Sequence, residues 1–384
     1  MPLPGILSST KNDHPVKREL PPYGRRSTKE RLQMTFIKAN NDSFRYTGRN
    51  DFSNPSEPTI IHAGNEIHVR FSGTRLALRI RNHHTEYENA IGFLIDGTTE
   101  GKTVLATDDA LRDYPVAENL PQGMHELILW KRIAAGCHYF DFHGILIDDG
   151  AEVAPSAFNP SRRIECYGDS VSAGEVCEAV EYTEQMDPEN HEGKFSNSRY
   201  SYSMMTARNL GAEIWNTAQG GIAILDNTGF YMGGTVGLVT TWDKLRMNPR
   251  LGPYTPWDFS RFTPHVVIMA ISQNDKHPED YINTDPIRRS LWIATYAGLM
   301  RKLRSKYPRA LFVVISTLLH HDAGWDVALD EMTASLRDFR VVRYRFKRNG
   351  IGTPGHLRIS ENAEMAGELT AFLQSFGDSL WNEQ

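Results

Sequence analysis

The sequence predicts two joined folds, an N-terminal β-sandwich and a C-terminal α/β domain on a parallel sheet, and three observations carry that expectation. Between about residues 40 and 150, apolar residues recur with period two, as in Ile67, Val69 and Phe71; strands with one buried face show this pattern. After Pro155 and Pro160 it gives way to short apolar runs over 265–271 and 311–316, as expected of strands buried on both faces. Helical stretches, clearest over 287–307 and 323–339, separate these runs, and strand alternating with helix implies a parallel sheet covered on both sides.

Taken in order, residues 1–40 carry Pro2, Pro4, Pro15, Pro21 and Pro22 without periodicity and are expected to form an irregular leader. The first twenty residues mix proline with charge and lack the apolar centre of a secretory signal, so a cytoplasmic location is expected. The sandwich is expected over 41–155. Gly73 breaks its first alternating run, Leu76, Leu78 and Ile80 form the next, and Ile91, Phe93 and Ile95 end at an Asp96-Gly97 turn. Residues 125–130 and 140–147 continue in the same style. The α/β domain is expected over 161–384, with strands at 163–167, 213–216, 265–271 and 311–316. A helix over 360–376 closes it, with Met365, Leu369, Phe372 and Leu373 near helical spacing. Ligands of such sheets lie outside the carboxyl ends of the strands.

Bulk properties narrow the function. A 384-residue chain with 40% hydrophobic and 23% charged residues is ordinary for a globular protein. Its formal charge of -5 offers no footprint for nucleic acid or an anionic membrane. Arg343, Arg345, Lys347 and Arg348 are read as a solvated face. The longest apolar run, 310–319, is too short to span a bilayer. Cys137, Cys166 and Cys177 form neither a disulfide framework nor a zinc spacing, and Cys166, inside an apolar run, is expected to be buried and inert. His320, His321 and Asp322 are adjacent, and adjacent side chains in an extended stretch point apart, so no metal is expected. No cofactor is expected either.

Chemistry concentrates in four segments. An apolar strand runs into Gly168-Asp169-Ser170, placing a serine hydroxyl at the carboxyl edge of the first parallel strand. A second Gly-Asp-Ser, at 377–379, follows a helix and has nothing downstream to act as its base. Asn216-Thr217-Ala218-Gln219-Gly220-Gly221 follows the next strand, and its glycines allow close backbone approach. Ser272-Gln273-Asn274-Asp275 follows the third and offers the Asn274 amide. Gly355-His356 precedes the closing helix. Read together, Ser170 attacks a carbonyl carbon and His356 takes its proton. The N–H groups of Ser170 and Gly221 and the Asn274 amide hold the oxyanion. Asp169 and Asp275 are expected to bond local backbone N–H groups. His277 is a rival base that the order of the segments disfavours.

These four segments resemble the signature blocks of the Ser-Gly-Asn-His (GDSL-type) hydrolases, with Ser170, Gly221, Asn274 and His356 as the name-giving residues. Residues 45–49, 69–74, 95–97 and 120–125 resemble the N-terminal domain of family-two carbohydrate esterases. That resemblance implies a jelly-roll sandwich joined to a three-layer α/β/α domain. It further implies an O-acetylesterase that deacetylates plant-type polysaccharides such as xylan and glucomannan through an acyl-serine. One departure stands out. The aspartate usual three residues before the histidine is Thr353 here. Members of the family work as a Ser-His dyad with a main-chain carbonyl orienting the histidine, so a backbone acceptor is expected for His356, with Asp322 or Asp326 as the alternative. Trp257 and Trp325, beside Pro, Asp or Gly, are expected on a cleft wall that binds sugar, whereas Trp215 and Trp292 are read as core. The acidic loop over 175–197 either borders the site or is a solvated insertion. The expected partner is an acetylated carbohydrate, neither nucleic acid nor membrane, with the oligomeric state left open. A general short-chain esterase or lysophospholipase, or a non-catalytic carbohydrate-binding protein, are the other readings.

Overall fold

The computed structural model describes residues 33–382. Eleven strands form its first part: β1 (Met34–Lys38), β2 (Arg45–Tyr46), β3 (Thr59–Ile60), β4 (Glu66–Ser72), β5 (Leu76–His84), β6 (Ala90–Ile95), β7 (Thr99–Val104), β8 (Arg112–Ala117), β9 (Met124–Lys131), β10 (His138–Asp148) and β11 (Val153–Ala154). All their pairings are antiparallel. One sheet runs β1-β10-β5-β8 with β3 beside β10, and the other runs β11-β4-β9-β6-β7 with β2 beside β4. The period-two residues point into the space between them: Ile67, Val69 and Phe71 from β4 meet Leu78 and Ile80 from β5 and Ile145 and Ile147 from β10 in one apolar cluster. The irregular leader expected over 1–40 needs correction at its end. Met34–Lys38 is a strand, paired from Met34↔Asp148 to Lys38↔Gly144. The rest of that expectation, residues 1–32, lies outside the described residues.

The second part follows a short linker. Strands β12 (Arg162–Gly168), β13 (Ala212–Asn216), β14 (Val266–Ala270), β15 (Leu311–Ile315) and β16 (Val341–Tyr344) alternate with α1 (Ser170–Ala173), α2 (Tyr202–Asn209), α3 (Leu238–Thr241), α4 (Pro286–Lys306), α5 (Ala323–Ser335) and α6 (Ile359–Gln374). The sheet is parallel, in the order β13-β12-β14-β15-β16. Every residue of β13, β14 and β15 is buried. One face packs on Trp292, Met300 and Leu303 of α4 and Leu329 and Met332 of α5. The other packs on Tyr202 and Met204 of α2 and Met365, Leu369 and Leu373 of α6. The order reverses direction between β12 and β14, which opens a crevice above their carboxyl ends.

Strand β16 escapes a search for apolar runs because Arg343 interrupts it. Arg343 is not part of a solvated face; its side chain is 10% exposed and its guanidinium bonds Asp326 and Ser316. Cys166 is buried and unpaired in β12.

A buried ion pair joins the two parts. Arg49 Nη2 lies 2.8 Å from Glu165 Oε1, and both side chains are almost wholly buried. The guanidinium also donates to Trp242 O at 3.1 Å and to the Tyr167 hydroxyl, and it lies over the Trp257 ring at 5.1 Å. Burial opposes the charge, but Tyr167 and Glu165 hold the Arg49 pKa above its ordinary value. Removing one member of such a pair strands the other. Arg49→Met is therefore expected to cost about 3–5 kcal/mol in denaturant unfolding. Arg49→Met with Glu165→Leu is expected to recover part of that loss, since no buried charge then lacks a partner.

Candidate active site

Ser170 opens α1 directly after β12. Asp169 caps this helix, its Oδ1 accepting from Val171 N at 3.1 Å and its Oδ2 from Gln273 Nε2 at 2.7 Å. Burial pushes the Asp169 carboxyl up to about 6 against those hydrogen bonds. Gly174 ends the helix with φ +73°, a left-handed turn suited to glycine. The tight turn leaves the Ser170 N–H without a protein acceptor among the described residues. The Gly221 N–H is likewise unspent there. Gly221 has φ +71°, and a Cβ on it would lie 2.9 Å from Phe230 Cβ, so a side chain would both strain the backbone and push that loop away. Asn274 Nδ2 donates to Ile222 O at 3.0 Å, which leaves its second amide hydrogen available. Asp275 accepts from Ile224 N at 2.9 Å and from Leu225 N, and burial raises its carboxyl to about 7. Ser170, Gly221, Asn274 and His356 line one cavity of about 400 Å³. Its outer wall includes Tyr87, Phe230 and Arg250.

The histidine is held by a carboxylate, which corrects both the backbone acceptor and the Ser-His dyad expected from the sequence. His356 Nδ1 lies 2.6 Å from Asp187 Oδ2. Asp187 Oδ1 accepts from His356 N at 2.9 Å and from Arg358 Nη1 at 2.8 Å. Burial opposes the Asp187 charge, but these bonds and the charge of His356 hold its carboxyl well below the usual carboxylate range. Asp187 belongs to the acidic loop after the nucleophile, so that loop borders the site. Arg358, fully buried, ties it down by donating to Tyr182 O at 3.2 Å and to His356 O at 2.7 Å. Thr353, where the aspartate is missing, anchors the same loop: its Oγ1 accepts from Glu184 N at 2.9 Å. Gly355 makes room, since a Cβ there would fall 2.5 Å from Asp187 Oδ1. The alternative carboxylates are occupied elsewhere. Asp322 caps α5 and bonds Asn283, and Asp326 pairs with His321 and Arg343.

Burial lowers the His356 pKa, yet its hydrogen bond to Asp187 and the charges of Glu175, Asp187 and Asp169 outweigh it, leaving the ring above its ordinary value. Its Nε2 stands 3.8 Å from Glu175 Oε2. No Ser170–His356 hydrogen bond forms among the described residues, a common situation before substrate tightens a site.

The tryptophans expected on the cleft wall are core residues. Trp257 is 5% exposed and packs edge-on against Trp215. Trp325 lies in α5, not in a loop, is buried, and meets Tyr281 and Trp292 edge-on. The exposed aromatics at the cavity are Tyr87 and Phe230, the latter stacked on His277 at 4.0 Å. Ser379, in the second Gly-Asp-Ser, donates to Phe376 O at the exposed C-terminal end. One trio among the described residues, Glu57, Asp141 and His143, brings possible metal ligands within 4.8 Å of one another. It sits on the sandwich, and Asp141 there already accepts from Thr59 and pairs with His83.

Residues 46–156 match the carbohydrate esterase 2 N-terminal family model. The structure resembles that of a family two carbohydrate esterase from Clostridium thermocellum in complex with cellohexaose, with a TM-score of 0.73 and 26% identity over 87% of this chain and 98% of that one. The chain is thus similar to family-two carbohydrate esterases in both sequence and fold. Two curated relatives agree. The chain is 28% identical to the cellulase/esterase CelE of Acetivibrio thermocellus over 87% of its own length. It is 27% identical to an acetylxylan esterase / glucomannan deacetylase of Cellvibrio japonicus over 60% of its length. It spans only 40% and 61% of those two proteins.

Asp187→Asn is expected to lower kcat sharply, since the equivalent change in serine proteases costs about 10⁴-fold. A raised His356 pKa places the acid limb of kcat/KM above the ordinary imidazole value, because only the neutral ring accepts a proton. Losing the Asp187 charge is expected to move that limb to lower pH in a pH–rate profile.

Proposed function

We propose that this chain is a carbohydrate O-acetylesterase that removes acetyl groups from plant-type polysaccharides or oligosaccharides through an acyl-serine. The observation that carries the reading is the convergence of Ser170, His356 and two unspent backbone donors on one cavity, in a chain whose sandwich matches carbohydrate esterases. Ser170 Oγ attacks the acetyl carbonyl while His356 Nε2 takes its proton. Asp187 keeps the remaining proton on Nδ1 and stabilises the imidazolium. The oxyanion lies between the Ser170 and Gly221 N–H groups and the Asn274 amide, each such donor lowering the barrier by about 2.7–4 kcal/mol. Collapse expels the sugar alcohol, which receives the proton from His356. Water, activated by the same nitrogen, then releases acetate.

The family-two relatives support acetylated xylan or glucomannan as the substrate class, and the cellohexaose bound by the Clostridium protein supports an oligosaccharide in the cleft. A lysophospholipase would need an apolar groove beside Ser170, whereas Glu86, Glu175 and Arg250 line this cavity.

Acetate release from acetylated xylo- and manno-oligosaccharides tests the reading. Ser170→Ala and His356→Ala are each expected to lower kcat at least about 10³-fold, and Ser379→Ala to leave it unchanged. Acetyl esters are expected to outpace butyryl esters in a 4-nitrophenyl series. Sugar binding undiminished in Ser170→Ala, with no turnover of any ester by the wild type, would replace the enzyme with a binding protein.

A further inference from the structure

Glu175 takes no part in the mechanism above, yet it faces the same cavity. It follows α1 directly, its N–H donating to Ser170 O at 3.0 Å. Its carboxylate lies against the oxyanion loop: a Cβ on Gly220 would fall 1.9 Å from Oε1. Oε2 is 3.8 Å from His356 Nε2, and the side chain is 19% exposed. No described residue donates a hydrogen bond to either oxygen. A carboxylate can accept several hydrogen bonds, and one withdrawn from water without donors is costly. Burial duly raises its pKa, against the pull of His356. A ligand that brings hydroxyl donors into the cavity removes that penalty.

The position identifies which part of the ligand this is. His356 Nε2 takes the serine proton and hands it to the departing alcohol. An atom 3.8 Å from Nε2 therefore borders the alcohol oxygen of the ester. A hydroxyl on the neighbouring carbon of that alcohol comes within reach of Oε2. We propose that Glu175 is a specificity-determining residue that selects esters of polyols, its carboxylate accepting a hydrogen bond from the hydroxyl next to the esterified one. The inference rests on the reading of this cavity as an ester-hydrolysing site, and it adds which alcohols that site prefers.

Ethylene glycol monoacetate and ethyl acetate differ by that single hydroxyl and isolate the contact. The readout is the ratio of their kcat/KM values, measured by acetate release with the full chain. The wild type is expected to favour the glycol ester. In Glu175→Leu the ratio is expected to fall about ten- to a hundredfold, the effect of losing a hydrogen bond to a charged group. Glu175→Gln, which fits the same space against Gly220 and still accepts through its carbonyl, is expected to lie between. It decides the matter if the leucine variant fails to fold. No preference in the wild type, or a ratio unchanged in the variants, overturns the proposal. Deacetylation of oligosaccharides with an unchanged ratio removes this inference and leaves the proposed function standing. A Glu175-dependent ratio without release from any acetylated carbohydrate does the reverse.

Discussion

Arg49 and Glu165 face each other away from water, and this pair ties the sandwich to the strand that leads to Ser170. A buried charge is tolerated only when opposite charge and hydrogen bonds replace its hydration. Here the replacement comes from both parts of the chain. Arg49 follows strand β2 of the sandwich, Glu165 lies on β12, and the Trp242 carbonyl and the Trp257 ring complete the cage. Glu165 stands five residues before Ser170 on the strand that ends at the nucleophile. The sandwich is thus bonded to the strand that leads to Ser170 and is not a loosely tethered appendage. Further links follow the same surface. Gly136 N donates to Gln219 Oε1 at 2.7 Å, next to the oxyanion loop, and Tyr87 of the sandwich forms part of the cavity wall.

A second buried arginine does for the histidine what Arg49 does for the nucleophile strand. Arg358 begins α6 and reaches back to the carbonyls of Val176, Tyr182 and His356 and to the Asp187 carboxylate. These contacts turn an acidic insertion into a fixed wall. The residue at the position of the missing aspartate, Thr353, holds the backbone three residues before the carboxylate that replaces it. The histidine–carboxylate contact forms although its acid arrives from a different part of the chain, because orienting an imidazole needs a carboxylate at Nδ1 and not a particular sequence offset.

Much of this was legible in the linear chain. Alternation in β4 and β5 announces strands with one apolar face, and the wholly apolar β14 and β15 announce strands covered on both sides. The four chemical segments were legible because each sits at the carboxyl end of a strand or ahead of the last helix, where local geometry exposes the side chain. The tryptophans misled, since apolar area decides burial more strongly than neighbouring Pro or Gly: Trp257 and Trp325 went to the core, and smaller exposed aromatics took the rim. Strand β16 was hidden because Arg343 breaks its apolar run and finds its partners only in the folded chain.

By itself, then, the sequence determined the two fold classes, most of the strands and helices, and the four segments that meet at one cavity, since all of these follow from local periodicity and short motifs. Tertiary structure alone decided which carboxylate orients His356. Several acidic residues crowd the 175–197 loop, and nothing in their spacing separates Asp187 from its neighbours. Only the path of that loop across Arg358, Thr353 and Gly355 brings one carboxylate to 2.6 Å of Nδ1 and another, Glu175, to the far side of the ring. Contacts between residues 169 positions apart are set by packing and by buried hydrogen bonds, and neither leaves a periodic trace in the chain.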